Sequence, residues 1–230
     1  MLFDLRSRRR RHTVRVVYIL LALVMLLGLV LVGVGTGNNN GGLLNAFTNN
    51  GSGNGQNQAF SQATKAAIKL TDKHPDSASD WAALVQARWS EASSGSNYDA
   101  TTGSYTKSGK AQLAYAASAW RRYVTLTSDK PSLENATLGA RIYQALGQWD
   151  NAYGAWQYVI RASTGSAGLL NGYICTALNA YAAKLPSEGG FAASSALKVA
   201  PKTDRLELQG AFKTAKGSAS TAAEYVVSDC

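Results

Sequence analysis

The chain has 230 residues, 46% of them hydrophobic and 16% charged, with 22 glycines, two cysteines and a formal charge of +9. Two cysteines exclude a disulfide scaffold, while the positive balance invites a nucleic-acid reading that depends on where the charge lies. Arg6, Arg8, Arg9, Arg10, Arg11 and Arg15 stand against Asp4 in residues 1–34, so five of the nine net charges sit there and four are spread over the rest. Basic residues flanking an apolar run are a topology signal, and no other stretch alternates lysine or arginine with aromatics, so no nucleic-acid partner is expected.

In chain order, residues 1–15 read as a basic cytoplasmic tail. Val16 to Val34, VVYILLALVMLLGLVLVGV, holds no charge and no proline. At ~1.5 Å per residue this run spans about 28 Å, near the hydrocarbon thickness of a bilayer. A cleavable signal peptide is the competing reading, but its apolar core is typically ~7–15 residues and ends at a small-residue cleavage site. Only Gly33 and Gly35 resemble such a site, so a retained transmembrane helix over 16–34 is preferred. Under the positive-inside rule, the N-terminus is then cytoplasmic and everything from Gly35 onward lies outside a plasma membrane. Residues 35–57, GTGNNNGGLLNAFTNNGSGNGQN, form a Gly/Asn-rich linker that buries no core apart from the short island Leu43 to Phe47.

From residue 58 the periodicity is helical, and no stretch keeps the two-residue alternation of a sheet. The predicted helices are Ala59–Lys73, Ala78–Ala92, Gly109–Thr127, Ser132–Leu146, Trp149–Ala162, Gly168–Ala183, Phe191–Val199 and Asp204–Lys216. The four prolines, at 75, 131, 186 and 201, all fall between them. Ser93 to Lys110 is a polar insert between two helices, either a disordered loop or a functional one. A helical domain over 58–217 and a C-terminal tail over 218–230 complete the chain. Cys175 and Cys230 read as one buried thiol and one free tail thiol. In an extracytoplasmic compartment they can instead form a bridge, provided that the tail packs back on the body.

One segment carries more. Leu138–Ile160, LGARIYQALGQWDNAYGAWQYVI, places Tyr143, Gly147, Trp149, Ala152 and Trp156 at helix A aromatic, turn, following aromatic, small and large helix B positions. This pattern resembles the tetratricopeptide repeat. Fainter copies lie upstream, at Ala119, Tyr123 and Pro131 and at Trp81, Leu84 and Trp89, and downstream at Ala196 and Pro201. Gly139 departs from the usual leucine, and Thr164 from the usual proline. The resemblance implies an array of α–α hairpins, so the expected fold is all-α, with the single transmembrane helix and the flexible linker preceding that array. It also implies that the aromatics are packing residues and that a groove lined by helix A, with Gln86, Trp89, Arg141 and Gln144, receives a protein or peptide. The N-terminal pattern of LFDLR, basic cluster, single span and glycine-rich exit is similar to the anchors of translocon-associated periplasmic chaperones.

Chemistry finds little purchase. His74 is the one histidine beyond the span, and no H-E-x-x-H, C-x-x-C or G-x-S-x-G occurs. Neither a metal site nor a cofactor is expected, and the chain does not read as an enzyme. The expectation is a membrane-tethered scaffold or chaperone-like accessory of secretion or cell-envelope machinery in a bacterium, contacting its partner at the outer membrane face and the bilayer through residues 16–34. An extracytoplasmic domain binding a small ligand or cell-wall glycan through surface tryptophans is the alternative.

Overall fold

The structure, a computed structural model, describes residues 54–230. The basic tail, the span and all but the last residues of the linker lie outside the described residues. No described helix is long and apolar enough to cross a membrane. Among the described residues nine α-helices follow one another: α1 (Asn54–Lys73), α2 (Ala78–Ala92), α3 (Lys107–Leu126), α4 (Leu133–Ala145), α5 (Trp149–Ala162), α6 (Ser166–Ala182), α7 (Pro186–Val199), α8 (Arg205–Gly217) and α9 (Ala219–Asp229). The described chain is thus all-helical but for a miniature hairpin described below.

Local chemistry sets the helix ends. The hydroxyls of Ser77, Thr106, Ser132 and Ser218 accept the backbone N–H three residues on and so cap α2, α3, α4 and α9. At the other end of α4, Gly147 takes φ +68°, its N–H bonds to Gln144 O at 2.9 Å, and Gln148 N–H reaches Tyr143 O at 2.9 Å. These paired bonds satisfy the last carbonyls of the helix and need a left-handed residue, which glycine supplies without steric cost. The same bond pair closes α3 around Ser128 and α6 around Lys184, both at positive φ.

The helices pack as antiparallel hairpins, α2 with α3, α4 with α5 and α6 with α7, while α5 also lies along α6. Small residues on the facing sides let the axes approach: Ala116, Ala119, Ala136, Ala140, Ala152 and Ala155 are all buried. Into the remaining space go Leu113, Ile142 and Trp156, each almost wholly buried. One apolar cluster runs from α1 to α5 and takes in Cys175 of α6, and a second runs from α6 to α9, within a single unit spanning Phe60–Cys230.

Several expectations need correction. The tail over 218–230 is instead mostly α9, which buries Ala222 and Val226 and lies along α6. Its apolar residues recur at helical spacing, and that face finds its partner only in three dimensions. Helix α7 begins at Pro186 rather than Phe191, because proline suits a first helical turn and Gly189 is required where the Tyr181 ring crosses. Helix α1 begins at Asn54 and takes up the end of the expected linker. The insert after α2 is ordered: a 3₁₀ turn at Gly95–Asn97 leads to antiparallel pairing of Tyr98–Asp99 with Ser104–Tyr105.

Candidate functional site

A cleft of about 510 Å³ opens between α3 and α5. Arg121 and Thr125 of α3 form one wall, and Asp150, Gly154, Gln157, Tyr158 and Arg161 of α5 form the other. The α5 residues recur every three or four positions, so one stripe of that helix faces the opening. A second cleft of about 340 Å³ lies between α5, α6 and α7, with Tyr173, Glu188 and the 76%-exposed Phe191 along it. Gln157 and Arg161 border both, so the two clefts adjoin across α5.

The aromatic wall is braced. Tyr158 donates its hydroxyl to Asp129 Oδ1 at 3.1 Å and meets the Trp120 ring edge-on with centroids 6.2 Å apart. Over the Tyr158 face lies the Arg161 guanidinium, 4.5 Å from the centroid, and its Nε donates to Gln157 O at 3.3 Å. Cation–π contact and the backbone bond together fix where this charge sits. On the opposite wall Arg121 stands beside the Tyr143 hydroxyl. Burial lifts the Tyr143 phenol above its ordinary pKa, against a lowering influence from Arg121, and burial followed by the Asp129 contact lifts Tyr158 in the same way. Both phenols therefore stay neutral hydrogen-bonding groups at physiological pH. Neither Arg121 nor Arg161 has a carboxylate within ion-pair distance among the described residues.

The residues expected to hold the repeat together sit as follows. Tyr143, Ala152 and Trp156 are buried in the first cluster, Gly147 makes the bend, and half-buried Trp149 packs against the second cluster. The four residues expected in a helix A groove lie on α2 (Gln86, Trp89) and on α4 (Arg141, Gln144), two helices in contact. Gln86 and Arg141 are exposed, on α2 and α4. Gln144 turns its amide nitrogen inward, where it has no hydrogen-bond partner among the described residues. Trp89 packs against the first cluster and is covered by Tyr105 of the insert, with ring centroids 6.1 Å apart and Tyr98 edge-on to Tyr105 at 5.1 Å. Half-buried, Trp89 therefore gives part of its ring to its own core. None of the four borders either cleft. Arg121, Gly154, Gln157 and Arg161 do, and the stripe of glycine and polar residues on an otherwise aromatic α5 was the available sign.

Away from the clefts, Cys175 of α6 is bonded to Cys230, with Cα atoms 5.7 Å apart. Cys175 is fully buried in the first cluster, and Cys230 touches both clusters, so the bond staples the end of α9 to the body. Among the described residues no three His, Cys, Asp or Glu side chains gather into a group able to hold a metal ion. No family model, curated protein or solved structure matches the chain.

Proposed function

We propose that this protein is a membrane-tethered interaction module whose helical-hairpin body binds a protein partner on the face formed by α3, α5 and α7. The observation that carries the reading is the pair of adjoining clefts that share Gln157 and Arg161. Concave surfaces on a stack of hairpins suit an extended segment of another chain, and a braced aromatic wall with fixed polar groups is the composition of a binding hot spot. The bend at Gly147 and the small–large pattern of α5 support a tetratricopeptide-like arrangement, with the binding face on the row of second helices instead of the first. The arginine-flanked apolar run at 16–34 supports a single-pass anchor with the body outside the plasma membrane. Tethering raises the body's effective concentration toward membrane-embedded or emerging secretory chains, which fits a scaffold or chaperone-like accessory of the secretion or cell-envelope machinery.

The test places a photo-crosslinking residue at Gln157 of the full-length protein in intact membranes, with Gln62 on α1 as the control position. Adducts with a membrane-embedded or secretory protein are expected from Gln157, and far fewer from Gln62. Saccharide adducts alone would transfer the reading to a cell-wall-glycan binding domain, and equal yields from both positions would contradict a binding face on α5.

A further inference from the structure

Resting on that reading, we infer that the α3–α5 cleft selects acidic peptide segments: a carboxylate placed between Arg121 and Arg161, next to an aromatic or leucine side chain lying on the Trp120–Tyr158 wall. Three independent features point this way.

The first is unspent charge. Two guanidinium groups border the cleft from opposite helices, and neither pairs with a carboxylate among the described residues. Asp150 is the cleft's one carboxylate, and it sits in the first turn of α5, where the helix N-terminus already stabilises it. The second is preparation. Asp129 holds the Tyr158 hydroxyl, the Tyr158 ring holds the Arg161 guanidinium, and the Arg161 Nε is occupied by Gln157 O. Such a chain fixes the terminal N–H fork before any ligand arrives, and a fixed fork matches a carboxylate with two parallel bonds.

The third is room that packing does not require. Gly139 and Gly189 lack a Cβ because the Trp120 and Tyr181 rings occupy its place. Gly154, in the middle of α5, has nothing within 4 Å of where a Cβ would be, and it borders the cleft. A mid-helix glycine lowers helix stability relative to alanine, and here no neighbour explains it. The space above Gly154 is part of the cleft that the two arginines border. Some 510 Å³ continuing past Gln157 into the second cleft is far more than a lone anion fills, and it suits a peptide running across α5.

The test passes a pool of random hexapeptides, with acidic and basic residues equally represented, over the full-length protein in lipid nanodiscs. Retained peptides should be enriched at least tenfold in sequences with Asp or Glu beside Phe, Trp, Tyr or Leu. That enrichment should vanish in Arg121→Gln/Arg161→Gln and in Gly154→Leu. Gly154→Leu fills open space, so its melting temperature should match or exceed that of the parent, which separates a blocked cleft from a broken fold. A retained pool with no acidic bias overturns the inference. So does an acidic bias that survives in either variant, because the N-terminal arginines would then account for it. Protein adducts at Gln157 combined with an unbiased pool would sink this inference while leaving the interaction module standing; saccharide adducts alone would sink both.

Discussion

Two glycines in adjacent helices show how little a residue's identity says without its neighbours. A Cβ on Gly139 would come within 2.5 Å of the Trp120 ring, which is itself almost wholly buried. Gly139→Ala should therefore destabilise the protein by about 1–3 kcal/mol, the usual cost of overpacking. Gly154→Ala meets open space and should stabilise it by about 0.5–1 kcal/mol through helix propensity and reduced unfolded-state entropy. Denaturant midpoints of the two variants, read by circular dichroism on the full-length chain, check the opposite signs; destabilisation by both would remove the argument that the space at Gly154 is not structural. The missing leucine at 139 is visible in the sequence, whereas the tryptophan packed in its place is a neighbour only in three dimensions. Trp89 shows the converse. Its place in helix A suggested a groove, but its actual neighbour, Tyr105, lies sixteen positions away in an insert without regular periodicity.

At the scale of elements, the helices with strong periodicity and plain punctuation were legible: α2 and α5 fall at their expected bounds, and the bend at Gly147 is where its glycine implies. What escaped were elements defined by long-range partners. Helix α9 carries a short apolar stripe that means nothing until α6 lies beside it, and α7 begins with a proline and soon has two glycines that read as loop. The Cys175–Cys230 bond belongs at this scale, because it fastens α9 and the α6 core across a sequence separation of 55 residues. Closing a loop of that length removes enough unfolded-state entropy to stabilise the fold by about 4 kcal/mol in the chain-entropy treatment. Reduction, or Cys230→Ser, should lower stability by a substantial part of that amount and raise amide exchange in α9 well above that in α4 and α5. Hydrogen exchange with and without reductant makes the comparison; unchanged protection of α9 after reduction would mean that Ala222 and Val226 hold it unaided.

For the described residues as a whole, the all-helical class and the hairpin plan follow from period and turn residues, whereas the position of the proposed binding face does not. That face depends on which stripe of α5 remains uncovered once α3, α4, α6 and α7 have packed, a property of the assembled stack and of no single helix. The central claim is that an anchored helical body presents this face outside the membrane, and an accident of composition makes it directly testable. Every lysine in the chain lies at or beyond Lys65, so amine labelling of lysines reports on the body alone. Intact spheroplasts are treated with a membrane-impermeant amine reagent, membranes are washed at high pH, and labelled lysines are mapped by mass spectrometry in the retained protein. The account expects labelled body lysines before lysis, on protein that stays with the membrane; lysines that become labelled only after lysis, or labelled protein found entirely in the wash, would contradict it.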